Sequence, residues 1–179
     1  MVKNILLGVL SLIVLAVLVI VLIASRRPDT FRVSRSATIA APADKLFPMI
    51  NDLRQFDTWN PYSQKDPQMK SSYSGPASGA GARSDFESKK AGSGSLEIVQ
   101  ATPPSEVKMR LNMTAPMKAD NTVVFTLAPQ GNSTQATWTM EGPAPFIAKC
   151  MGVIFNMDKM VGADFEAGLA SLKARAEKA

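Results

Sequence analysis

The ionisable group with the most chemical promise in this sequence is Asp158. It follows Ile154 by four residues and precedes Val161 by three, so a helix would set its carboxylate on or beside an apolar stripe. A carboxylate in that position needs a partner. With a raised pKa it could move a proton, and as a fixed charge it could orient a ligand's polar group; the alternative is that Lys159, a backbone amide or solvent satisfies it. Tyr73 and Arg110 are the other side chains able to steer a proton, although strand parity turns both outward.

The remaining chemistry is defined largely by what is missing. The chain has no histidine, which removes the usual base of Ser-His-Asp and Cys-His nucleophiles and the commonest zinc ligand. Cys150 stands alone, so no internal disulfide or CxxC site exists. Gly75, Gly79 and Gly81 have neither GxGxxG spacing nor a Gly-Lys-Ser/Thr ending and read as hairpin-shaping residues, not a phosphate loop. No cofactor or metal is expected, and the enzyme reading leans toward no.

The apolar residues carry a different hint. Met109, Met113 and Met140 fall on inward strand faces, and Met151, Met157 and Met160 on the last helix. Soft, polarizable side chains suit an adaptable cavity, while ordinary core packing gives the same pattern. Trp59 and Tyr62 have apolar bodies with polar tips, suited to a cavity rim, to the membrane surface or to capping a core. The candidate ligand-binding set is therefore Trp59, Tyr62, Phe86, Met109, Met113, Phe125, Trp138, Met140, Ile154 and Asp158.

The elements that must position these residues begin with a membrane segment. Residues 5–24 contain no charge, Pro or Asn, and about 20 helical residues span a hydrocarbon core of about 30 Å. A cleavable signal peptide has a shorter apolar region ending at small residues, whereas here Leu22, Ile23 and Ala24 run into Arg26 and Arg27. Residues 1–27 read as an uncleaved anchor, and residues 28–179 as one domain. Lys3 lies on one side of the span and Arg26, Arg27, Arg32 and Arg35 on the other, which favours a single-pass protein with a cytoplasmic domain. A periplasmic or extracellular domain remains the alternative. Of the 20 basic residues, Lys3, Arg26 and Arg27 belong to the anchor, leaving 17 against 15 acidic ones. A nearly neutral domain without a basic stripe gives nucleic acid nothing to bind.

Beyond the anchor the period is two. Phe31, Val33, Ala37 and Ile39 alternate with polar residues, broken only by Arg35. A short helix follows from Asp44 to about Asp52 despite Pro48, then a second turn over Arg54 to Trp59, with Asn60-Pro61 as a turn signal. Six strands are expected near 69–74, 82–88, 95–102, 107–113, 122–128 and 135–141. After Gly142-Pro143-Ala144-Pro145 the period becomes helical: Ile147, Met151, Ile154, Val161, Phe165, Leu169 and Leu172 fall on one stripe, predicting a long helix that covers the sheet. Gly152, Gly162 and Gly168 weaken such a helix by about 1 kcal/mol each, which implies close approach to a neighbour at some of them.

This order is that of an α+β helix-grip fold, in which a curved antiparallel sheet wraps around the last helix. The stretches SATIAAPADKLFPMINDLRQFDTWNPY, YSGPASGAGARSDF and GPAPFIAKCMGVIFNMDKMVGADFEAGLASLK resemble the START-like (SRPBCC), polyketide cyclase/dehydrase superfamily over residues 31 to 175. The resemblance implies an apolar cavity between sheet and helix that binds a lipid or other hydrophobic small molecule. Two alternatives stay open: a cyclase-like enzyme using Asp158, Tyr73 and Arg110, and a membrane-associated interaction protein without a ligand. The transmembrane anchor and the lack of histidine are departures from some relatives.

Overall fold

In the computed structural model, which describes residues 2–178, the period-two runs are strands and the apolar N-terminal run is a helix. The elements are, in order, α1 (Val2–Ser25), β1 (Thr30–Ile39), α2 (Ala43–Asn51), α3 (Leu53–Asp57), α4 (Pro61–Lys65), β2 (Lys70–Ser74), β3 (Arg83–Ser88), β4 (Gly92–Thr102), β5 (Glu106–Ala115), β6 (Ala119–Gln130), β7 (Ser133–Pro143), α5 (Phe146–Ile154) and α6 (Met157–Lys178). They group into two compact units. One joins the N-terminal stretch through Phe31 to Pro143–Met157, and the other joins Arg32–Gly142 to the stretch from Asp158 onward.

In the first unit, α1 is long and apolar enough to cross a membrane. Its large apolar side chains from Val2 through Ile23 are exposed except for a half-buried Ile20, and of its residues only Ala24 is buried. A helix apolar on every side, with no acidic or basic interruption after Lys3, has no water-facing surface of its own. Helix α5 packs on α1. Lys149 on α5 pairs with Asp29 just beyond α1, and the Ala144 N–H donates to the Asp29 carbonyl at 2.7 Å.

The second unit is a curved seven-stranded sheet in the order β1-β7-β6-β5-β4-β3-β2. The five pairings from β2 through β7 are antiparallel between chain neighbours. Strand β1 lies antiparallel along β7: Arg32 meets Glu141, Ser34 meets Thr139, and Ser36 meets Thr137. Strand β4 has register shifts at Ser93/Gly94 and Ile98/Gln100, irregularities of the kind that bend a strand and increase its twist. A Cβ at Gly94 would fall 2.3 Å from the Asn112 carbonyl oxygen, so only glycine permits this approach of β4 to β5.

Alternation sends Val33, Ile39, Ile98, Val107, Met109, Val123, Phe125, Leu127, Ala136 and Trp138 to one face, where all are buried. Helix α6 contributes Phe165, Leu169, Leu172 and Ala176 at three- and four-residue spacing, and α2 and α3 contribute Leu46, Phe47, Ile50, Leu53 and Phe56. Gly168 lets α6 touch the sheet, since a Cβ there would lie 2.6 Å from the Trp138 ring and 2.9 Å from Pro61. Gly162 serves Arg35 in the same way, with a Cβ meeting the guanidinium at 2.0 Å. The glycines expected to mark close approach do so at both positions.

Two elements differ from the sequence expectation. The single long C-terminal helix is two helices, separated at Phe155 and Asn156. Phe155 is extended (φ −111°, ψ 130°) and its N–H closes α5 on the Met151 carbonyl, while Asp158 in the first turn of α6 favours a new helix start. The apolar stripe runs across this break, which is why periodicity could not locate it. The Asn60-Pro61 turn is also the start of α4: Asn60 Oδ1 accepts from the Tyr62 N–H at 3.2 Å, and Pro61 occupies the first helical position.

Candidate ligand-binding site

The register places the inward residues in rows across the sheet. Phe125 pairs with Trp138 on one side and Val107 on the other. The next row runs Met140, Val123, Met109, Ile98. After it come Asn121, Leu111, Leu96, Ser84 and Tyr73, and then Ala119, Met113, Gly94, Phe86 and Ser71.

Burial falls along this sequence of rows. At the first row the face is closed by aromatic rings: Trp138 stacks on Phe165 at 4.2 Å and 8°, lies 4.8 Å from Phe125, and Trp59 stands edge-on to both Phe125 and Trp138 at about 6 Å. Phe56 completes the cluster, 4.8 Å from Trp59. Such ring pairs add about 0.5–1.5 kcal/mol each beyond area burial. By the third and fourth rows Leu96, Leu111, Met113 and Phe86 are only half-buried, as is Met140 in the second. The face therefore grades from a packed aromatic floor to apolar surface that water can reach.

Polar atoms on this face matter because burial without a partner costs roughly 1–3 kcal/mol. Trp59 Nε1 donates to the Met49 carbonyl at 2.8 Å. Asn121 Oδ1 and Trp138 Nε1 are buried without a hydrogen-bond partner among the described residues. Asn121 was not among the residues singled out in the sequence, although its signal was there: it extends the alternation of Val123, Phe125 and Leu127 as a polar residue on an apolar face.

Of the residues proposed from sequence, Phe86, Met109, Met113, Phe125, Trp138 and Met140 share this face. Trp59 joins the floor and is a core residue, not a rim. Tyr62 stands apart on α4, where burial and then Asp164 on α6 push its hydroxyl pKa upward. Ile154 is on α5 in the other unit and is exposed. Asp158 is a correction: its side chain is 60% exposed and pairs with Arg35, whose Nη2 and Nη1 donate at 3.0 and 3.2 Å. The hydrogen bonds from Arg35 hold its carboxyl below the usual range, the reverse of the raised pKa a proton donor requires. Arg35 also donates through Nε to Glu166 at 2.8 Å, so the residue that broke the β1 alternation is an ion-pair centre against α6.

Arg110 points outward and pairs with Asp120, as parity predicts. Tyr73 does not: its partner Ser84 faces inward, so Tyr73 does too, and its hydroxyl donates to Asp57 at 2.5 Å. Burial first, and Asp57 second, push its pKa up to about 12. The outer face has a cleft of about 410 Å³, lined mainly by outward residues such as Lys70, Arg83, Asp85, Ser95 and Asn112. Arg83 there is shared by Asp85 at 2.6 Å and Glu97 at 3.6 Å, so its charge is already matched. The inward apolar face, with its unpaired polar atoms, is the better candidate.

Comparison with known proteins agrees with this architecture. Residues 30–177 match the family described as polyketide cyclase / dehydrase and lipid transport. None of the curated proteins matches the chain. The fold is similar to that of protein CV1439 from Chromobacterium violaceum, with a TM-score of 0.59 and 16% identity over 84% of this chain and 99% of that one. It is also similar to the di-domain ARO/CYC StfQ from the steffimycin biosynthetic pathway, with a TM-score of 0.63 and 12% identity over 86% of this chain and 53% of that one. Ara h 8.0201 gives a TM-score of 0.58 at 10% identity, over 84% of this chain and 99% of that one. At these identities the likeness speaks for the fold.

Proposed function

We propose, from the premise that the chain belongs to the polyketide cyclase/dehydrase and lipid transport family, that it is a membrane-tethered binding module for a lipid or other hydrophobic small molecule. The observation that carries this reading is the half-buried apolar patch of Phe86, Leu96, Leu111, Met113 and Met140, continuous with the core around the unpaired Asn121 Oδ1. An apolar body would cover the patch.

The anchor is α1, making the protein single-pass, with the basic residues after it favouring a cytoplasmic domain. A cyclase-like reading has less support, because two of its three expected proton-steering residues, Asp158 and Arg110, are spent in ion pairs. The remaining one, Tyr73, is bonded to Asp57.

The chain contains two tryptophans, Trp59 and Trp138, and both lie in the floor of the proposed site. Dibromostearate added to the full-length chain in lipid nanodiscs is expected to quench their fluorescence saturably, whereas a brominated phospholipid confined to the bilayer reproduces no such saturation. Leu111→Arg places a charge in the apolar patch and is expected to weaken the effect by at least about tenfold, the equivalent of 1.4 kcal/mol. Emission that dibromostearate leaves unchanged at every concentration would remove the reading.

A further inference from the structure

Among the described residues, the apolar side of helix α5 is left largely exposed. Phe146, Ile147, Met151 and Ile154 are 50, 61, 41 and 61% exposed, no residue of the helix is buried, and Phe155 after it is 48% exposed. At 100° per residue these four positions fall within one side of the helix. A short helix with its large apolar side chains in water is unstable unless something covers them.

The other side of α5 indicates where it sits. Lys149, the helix's one charged residue, turns to Asp29, and a Cβ on Gly152 would lie 2.8 Å from Arg27 Nη1. Both contacts are with the few residues that follow the end of α1 at Ser25. If α1 spans the bilayer, this is the level at which hydrocarbon gives way to headgroups. Arg26 and Arg27, just past the end of α1, supply basic groups at that level of the kind that interfacial helices carry on their polar side, while Lys149 is matched by Asp29.

We propose that α5, with Phe155, is an interfacial helix whose Phe146, Ile147, Met151 and Ile154 side chains are buried in lipid beside the point where α1 leaves the bilayer. The inference rests on the reading of α1 as a membrane span, and not on the ligand site. The apolar surface of α1 and that of α5 then form one lipid-contacting surface. The chain is then held at the membrane by an inserted helix, with a second one lying in the interface beside it.

Spin labels test this in the full-length chain reconstituted into phosphatidylcholine vesicles, on a Cys150→Ser background with single cysteines at Leu15, Ile147, Ile154 and Lys90. Collision with oxygen against collision with a water-soluble nickel chelate reports depth. The label at Leu15 is expected deep in the bilayer, and that at Lys90 in water. Those at Ile147 and Ile154 are expected about 5–10 Å into the headgroup and acyl boundary, with an oxygen-to-nickel ratio several-fold above that at Lys90. Labels at Ile147 and Ile154 as open to nickel as Lys90, while Leu15 is in lipid, would overturn the inference and leave the anchor standing. Shielding from both reagents would overturn it in favour of a protein neighbour, such as a second copy. A water-exposed Leu15 would overturn the span and the inference together. None of these results alters the fluorescence quenching at Trp59 and Trp138.

Discussion

Arg35 and Asp158 show how one residue pair decides between a chemical and a structural role. The guanidinium reaches α6 only because Gly162 leaves room for it, and once there it holds both Asp158 and Glu166. The Asp158 pKa is depressed from the ordinary 3.8, first by hydrogen bonds from Arg35. A depressed carboxyl contributes stability above its unfolded value and loses it as pH falls through the folded one. The carboxyl carbon of Asp158, followed by NMR, should therefore titrate below 3.8, and Arg35→Gln should return the midpoint toward that value; a wild-type midpoint above 3.8 would restore Asp158 as a candidate proton donor. The spacing of Asp158 to Val161 holds within α6, whereas its spacing from Ile154 crosses the break between α5 and α6. Helical spacing could not supply the partner, because Arg35 is 123 residues away and only the β1 to α6 packing joins them. Asn121 is the converse case, a polar residue visible in an apolar alternation whose meaning required knowing that its oxygen has no partner.

At the scale of elements, all six strands after β1 were legible from period two, and so were α2 and α3, because half-buried strands and short amphipathic helices write their burial into their sequence. The C-terminal stripe was legible as helical but misread as one helix with one neighbour. Helix α6 buries Phe165, Leu169 and Leu172, while the residues of α5 are only half-buried or exposed, and an apolar stripe does not say what covers it. The glycines distinguish the two. Gly168→Ala would press a methyl group into the Trp138 and Pro61 rings, and is expected to destabilise by roughly 1–3 kcal/mol despite a gain of about 1 kcal/mol in helix propensity. Gly152→Ala meets only the end of the Arg27 side chain, which can move, so that change is expected to be neutral or mildly stabilising. Urea denaturation followed by tryptophan fluorescence measures the first, since both tryptophans lie in the core that α6 covers, and far-UV circular dichroism follows the second. A Gly168→Ala chain as stable as the parent would contradict the close packing of α6 on β7.

For the molecule as a whole, the order of elements was sufficient for the α+β class, because the succession is long and each element has a distinct period, while the family rested on the resemblance of three stretches to known relatives. What they could not distinguish was a filled face from an open one, since Met, Leu and Phe alternate identically in both. The structure divides that face: Phe56, Trp59, Phe125, Trp138 and Phe165 fill one end, and Phe86, Leu96, Leu111, Met113 and Met140 leave the other reachable by water. The central claim is that this second end holds an apolar molecule. Native mass spectrometry of the full-length chain, extracted from membranes in polymer-bounded lipid particles, tests it most directly. The ejected chain is expected to exceed its polypeptide mass by one discrete apolar molecule, and Leu111→Arg to lose the adduct. A bare polypeptide mass that stays unchanged on titration with fatty acid would contradict it.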